Sequence, residues 1–278
     1  MSHVFVSEGE KLFLLHSVED DCRIDGRKCL ESRRFKLETG IIANCHGSCH
    51  VRIGNTDLLV GVKANVGPPD SEDLNSGKVI FAADCSANAS PVFEGRGGEE
   101  LAAELVIILT KSFIPTFDLR ALCVAPGKSV WILTVDILIL EFGSKPNLID
   151  AAGIAVKSAL FNTRIPKVSF DQEIEELDVP EDPSDLVSLD VSRLPLLVTA
   201  TKIGGHFVVD ATEIEEAAST SSVVFAVDPV GQVIHTKMLG SGTLYMDPLK
   251  ESWQHFKRLA LNLHDDLDRL LQKDSVVT

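Results

Sequence analysis

The chain has 278 residues, 45% of them hydrophobic and 24% charged, enough for one large domain or two modest ones with a real core. Its 41 acids against 26 bases give a net charge of −15, which argues against a protein that grips nucleic acid alone, since phosphate neutralisation supplies most non-specific affinity. No apolar run reaches the ~18 residues that span a bilayer, and the acidic N-terminus lacks a basic n-region, so the cytosol or nucleus is the expected compartment.

In chain order, Ser7 to Glu10 has capping-box spacing and predicts a short helix through Leu12, Leu15 and Val18. Arg23-Ile-Asp-Gly-Arg27 is a turn with two arginines around a glycine. From Arg33 to Cys85 the pattern is β: Phe35, Leu37 and Thr39 alternate with charge, Val51 and Ile53 alternate, and Asp57 to Val66 reads as a largely buried strand. Within it, Cys45-His-Gly-Ser-Cys-His50 has the look of a metal motif. An extended hairpin turning at Gly47 points Cys49 and His50 to opposite faces, and no second ligand pair sits at zinc-site spacing, so no metal is expected. The six cysteines, Cys22, Cys29, Cys45, Cys49, Cys85 and Cys123, otherwise read as small buried apolar residues of a reducing compartment.

Gly95, Gly97 and Gly98 precede a helix running to Phe113, with Leu101, Leu105, Ile108 and Leu109 as its buried stripe and Pro115 at its end. A glycine-rich helix start can cradle phosphate, but Glu99 and Glu100 occupy the turn where an anion would sit. Val130 to Glu141 is a nearly all-apolar strand expected at the centre of a sheet. The alanine- and glycine-rich helix from Leu148 to Asn162 is expected in the core, where small residues admit a close neighbour. Asp171 to Asp190 holds nine acids, no base and two prolines, the composition of a solvated connector.

A second β unit follows, with hairpins turning at Gly204-Gly205 and at Asp228-Pro-Val-Gly231. Between them, Phe207 to Ser222 drops from a strand into Asp210, Glu213, Glu215 and Glu216, acids that suit either a metal or general-base site or a capped helix start. Asp247 as N-cap and Pro248 at the first helical position open a final helix, whose stripe is Leu249, Trp253, Phe256, Ala260, Leu263, Leu267 and Leu270.

Several segments together resemble the RNase PH family, most closely the RNase PH-like core subunits of the RNA exosome. They are Arg23 to Arg27, Asn55-Thr-Asp57, Pro91 to Gly98 with its helix, Leu148 to Ala152 through Phe161 to Pro166, and Val209 to Glu213. The resemblance implies an α+β RNase PH fold, mixed sheets packed with helices in two linked lobes. It places an N-terminal helix and extension at 1–30, a first domain at 31–168, the acidic linker at 169–192 and a second domain with the C-terminal helix at 193–278.

Active members hold phosphate with a basic stretch at the first helix and a Gly-Thr-Arg loop before the second, and bind a cation with two acids six residues apart. Anions brought together need such cationic and N–H support. Here Glu100 and Leu101 stand where the phosphate arginines start, Pro146-Asn147-Leu148 replaces the loop, and the acidic pair falls on Glu216 and Ser222. Shifting the register by one rescues none of them, because no arginine lies between 97 and 119 or between 121 and 163.

The resemblance therefore implies a non-catalytic structural subunit with no catalytic residue, metal or cofactor. Its implied partners are other RNase PH-like subunits in a hetero-hexameric ring, cap subunits with RNA-binding domains, an associated exoribonuclease and RNA in the channel, with no membrane. The implied locations are nucleus, nucleolus and cytoplasm. Lys111 and Arg96 are the candidate RNA-contacting residues, through phosphates and without sequence preference. The competing function is a phosphate-dependent 3′–5′ exoribonuclease using Asp210, Glu215 and Glu216.

Overall fold

The structure, a computed structural model, describes residues 5–71, 73–90, 93, 97–171, 176–178, 185–244 and 246–277. After helix α1 (Glu8–Glu19) come β1 (Phe35–Thr39), β2 (Gly47–Ile53), β3 (Thr56–Gly67), β4 (Lys78–Cys85), α2 (Gly97–Phe113), β5 (Cys123–Ala125), β6 (Ser129–Glu141) and α3 (Lys145–Asn162). The first sheet has the order β1-β2-β3-β6-β4 with β5 added on β6, and only β4 runs parallel to β6. The long apolar strand thus lies between two others, as its sequence predicts. Its burial alternates, however, with Leu133, Val135, Ile137 and Ile139 in the core and Asp136 exposed. The helices cover one face of this sheet, and strands covered on one face bury every second residue.

Helix α3 is the centre of the molecule, and every residue from Pro146 to Leu160 is buried. Its small residues work as the sequence suggests. A Cβ on Gly153 would meet Leu197 at 3.0 Å, so glycine lets the helix seat against the second sheet. Gly47 does the same from the first sheet, where a Cβ would lie 2.6 Å from the Ala159 carbonyl oxygen. Gly47 therefore begins β2 instead of making the turn; the chain reverses between β1 and β2 through Gly40, at φ +71°.

Beyond α3 are β7 (Arg164–Pro166), β8 (Ser169–Asp171), β9 (Glu176–Asp178) and β10 (Leu186–Ser188), with β8 paired to β9 and β10 to β7. In the acidic stretch, residues 172–175 and 179–184 lie outside the described residues. The second sheet combines β11 (Leu196–Ile203), β12 (His206–Val209), β13 (Ser221–Val227) and β14 (Val233–Gly240) in the antiparallel order β12-β11-β13-β14, with the short helix α4 (Glu213–Ala218) between β12 and β13. Both predicted hairpins form, the first with Gly204 at φ +60°.

The last helix, α5 (Met246–Val277), packs Phe256 and Ala260 against Val198, Phe207, Val223 and Phe225 of this sheet. It begins one residue before the predicted cap, so Pro248 sits in the first turn, where its missing N–H costs nothing. Its buried stripe reads Phe256, Ala260, His264, Leu267 and Leu271, while Leu270 is exposed. A 3.6-residue helix drifts off the alternating three-four spacing, and the drift brings in His264. The first helix also turns a different face inward. Its capping box forms, but Leu14 and Val18 are buried and Leu12 is exposed. Val18 joins Cys29, Ile203, Val208 and Ala211, so the N-terminal segment rests on the second sheet.

Candidate functional site

The stretch from Asp210 to Ser222 is where α1's following loop, the start of α3 and the second sheet meet. Asp210 follows β12 at φ +50°, a left-handed conformation that aspartate tolerates better than most residues. Its carboxylate accepts from Arg33 N, Nε and Nη2 at 2.8, 2.9 and 2.6 Å, from Arg27 Nη1 at 2.9 Å and from Asn147 Nδ2 at 2.6 Å. That is five donors on two oxygens, and the pairing holds Arg33 above its ordinary pKa.

Thr212 then caps α4 in a capping box with Glu215. The Glu215 side chain is buried and accepts Arg23 Nε at 2.8 Å and Nη2 at 2.5 Å. Arg23 spends its remaining donors on the Val209, Asp210 and Glu31 carbonyls. The turn with two arginines is therefore a clamp across the chain, and Asp210 and Glu215 are its acceptors. Neither carboxylate lines the cavity that follows.

That cavity, about 420 Å³, opens beside the start of α3 and is walled by Lys145, Pro146, Glu216, Ser219 to Ser222 and the end of β14. Glu216 and Ser222 both line it, and of the three residues that replace Gly-Thr-Arg only Pro146 does. Ser144 caps α3, and the next free backbone N–H, that of Lys145, is taken by Glu216 Oε2 at 3.1 Å. Burial pushes the Glu216 carboxyl pKa up, against the pull of the Lys145 N–H and charge. Lys145 Nζ pairs with Glu104 of α2, so the lysine nearest the cavity is neutralised. Ser222 Oγ donates to Thr201 Oγ1 at 3.1 Å. Among the described residues Ser221 Oγ has no hydrogen-bond partner, though it is buried.

Behind the clamp, Asp150 is buried with Thr199 donating to it at 2.7 Å, and burial raises its pKa well above the carboxylate range. Lys157, also buried, meets His264 Nδ1 at 2.9 Å, while His264 Nε2 reaches the Val227 carbonyl at 2.9 Å. Burial, then the Lys157 charge, lowers the His264 pKa to about 4. The imidazole is thus neutral, accepting from the ammonium and donating to the carbonyl.

Of the predicted RNA contacts, Lys111 is exposed in the last turn of α2, and Arg96 lies outside the described residues. In the Cys45–His50 segment, Cys49 is in the core while His50, on the other face of β2, bonds Asp57 Oδ1 at 2.5 Å. Sequence reasoning missed the partners of Arg23, Arg27 and Arg33, and the Lys157–His264 pair. The arginines' only signal was their density before the first strand, and the acids they meet lie some 180 residues on.

Residues 31–166 match the model of the 3′ exoribonuclease family, domain 1, and residues 193–251 that of the same family's domain 2. The chain is 31% identical to a Dictyostelium discoideum RRP42 protein over 97% of its own length and 99% of the relative's. It is 33% identical to the exosome complex component Rrp42 of Pyrococcus furiosus over 80% of this chain and 79% of that one. A chain of the Archaeoglobus fulgidus exosome with RNA bound to the active site superposes with a TM-score of 0.75 at 27% identity, covering 92% of this chain and 96% of that chain. With both domains of the family, its fold and full-length relatives in hand, the chain belongs to the RNase PH, or 3′ exoribonuclease, family.

Proposed function

We propose that this chain is a non-catalytic subunit of an exosome core ring, where it supports 3′–5′ RNA processing and decay by building the ring and lining the RNA path. One observation carries the non-catalytic part: beside the start of α3 Glu216 takes a backbone N–H and shares the cavity with Ser222 in place of a second acid, while Lys145 on the same cavity is paired to Glu104. Phosphorolysis needs an anion held there by N–H groups and cations. A phosphate about 4 Å from that carboxylate meets repulsion on the order of 4 kcal/mol at an effective dielectric of ~20, close to a thousandfold in affinity. Protonation of Glu216 relieves the charge and still leaves the carboxyl in the seat.

No arginine offsets this, since none lies between 121 and 163, and α2 begins with Glu99 and Glu100. The exoribonuclease reading needed Asp210 and Glu215 as well, and both are spent on the arginine clamp. The ring reading rests on the likeness to Rrp42 exosome components over most of both chains. The partners are then other RNase PH-like chains in a hetero-hexamer, cap subunits and an exoribonuclease that receives the RNA, in the nucleus, nucleolus and cytoplasm.

Native mass spectrometry of the complex purified with this chain tests the assembly. A hetero-oligomer of related chains is expected. A monomer, or a homohexamer with phosphorolytic activity, contradicts the proposal.

A further inference from the structure

A second, smaller cavity of about 30 Å³ lies behind the arginine clamp, and Asn147, Asp150 and Asp210 are its buried polar residues. Asn147 and Asp150 stand one turn apart on α3 and are only 1% and 8% exposed. The clamp fixes how the Asn147 amide is turned. Its Nδ2 donates to Asp210 Oδ1 at 2.6 Å, and the flipped amide would set an oxygen against a carboxylate that already accepts two arginines. Oδ1 is therefore left as an acceptor, and among the described residues it has no hydrogen-bond partner. An amide oxygen buried in that way gives up its bonds to solvent without replacement.

Asp150 supplies the complementary group. Its Oδ1 accepts from Thr199 Oγ1 at 2.7 Å. Burial, with the Asp210 charge acting in the same direction, favours the neutral acid, whose O–H then needs an acceptor. Much of the remaining wall is aliphatic, from Ile53, Ile154, Leu197 and Val198, and Arg33 directs Nε and Nη2 to Asp210. A water molecule needs about 10–15 Å³ of such space and two to four polar partners. The cavity has room for two, and water is the smallest group that accepts from an acid O–H and donates to an amide oxygen.

We propose that this cavity is an internal water site, in which one water or a bonded pair bridges Asn147 Oδ1 and the Asp150 carboxyl. The water accepts from the acid and donates to the amide, and through Asn147 it links the middle of α3 to Asp210 and the arginines. Ser32 is the exposed lining residue, so solvent reaches the site beside it. The site shares no lining residue with the Glu216 cavity and depends neither on ring membership nor on the loss of catalysis.

The test is a crystal structure of the full chain at a resolution that shows ordered water, repeated under xenon pressure. Density for one water, or for a bonded pair, is expected within about 3.2 Å of both Asn147 Oδ1 and an Asp150 carboxyl oxygen. Xenon is expected to stay out, since it enters dry apolar cavities. Oxygen-17 relaxation dispersion should count fewer long-lived waters in Asn147→Leu than in the parent. A xenon atom in the cavity would overturn the proposal. So would a direct bond between Asp150 and Asn147 Oδ1 with no density between them, or an equal water count in Asn147→Leu and the parent. If Asn147→Leu does not fold, the density and the xenon arm decide on the parent chain alone.

Discussion

Glu215 and Glu216 are neighbours in one short helix and meet opposite circumstances. Consecutive helical residues point about 100° apart, so the first carboxylate turns into the contact between the N-terminal loop and the second sheet, and the second turns to the cavity. Glu215 is held by Nε and Nη2 of a fully buried arginine. Glu216 has one backbone N–H, beside a buried serine hydroxyl that has no partner among the described residues. The same acidic run therefore divides into a clamp, where every charge is matched, and the outline of a reaction site, where the matching charges are absent. A satisfied polar cluster signals structure, and the open one marks where chemistry would have been.

The contrast breaks most sharply at Arg23. Arg23→Met strands Glu215 in the interior, and the expected cost is about 3–5 kcal/mol in urea-monitored unfolding. Replacing both partners, Arg23→Met with Glu215→Leu, should recover most of that loss, because removing a buried pair costs less than breaking it.

A second matched cluster, Lys157 with His264, makes a pH prediction. The folded His264 pKa is about 4 against an ordinary 6.5, so the unfolded chain binds the extra proton more readily. The stability this neutral histidine contributes is present above pH 6.5 and is lost as pH falls toward 4, by up to about 3 kcal/mol. His264→Gln should flatten that part of the stability–pH curve. Asn147→Ala removes a 2.6 Å bond to the Asp210 carboxylate and should cost about 2 kcal/mol by the same unfolding measurement. Smallest is Glu216→Gln, expected within about 1 kcal/mol of the parent, since it loses no ion pair that buries its charge. A loss as large as that of Arg23→Met would erase the distinction between the two glutamates.

Local signals carried much of this. The capping box at Ser7, the capped helix start after Asp210 and the Gly204-Gly205 turn depend on neighbours in the chain, and all are present. Glu216 and Ser222, which the resemblance set against an acidic pair, line one cavity. What sequence reasoning could not reach were pairings across long separations. Arg27 and Arg33 meet Asp210 across some 180 residues, and Lys157 meets His264 across 107. The face of α1 was misplaced because Leu12, Leu14 and Leu15 all offer apolar surface, and docking on the second sheet selects among them.

The most direct measurement is release of nucleoside diphosphate from oligoadenylate by the purified chain with Mg²⁺ and inorganic phosphate. The account predicts none above a protein-free control, with Glu216→Ala no different from the parent. Steady release of nucleoside diphosphate by the parent, abolished in Glu216→Ala, would contradict it and make Glu216 a working catalytic acid.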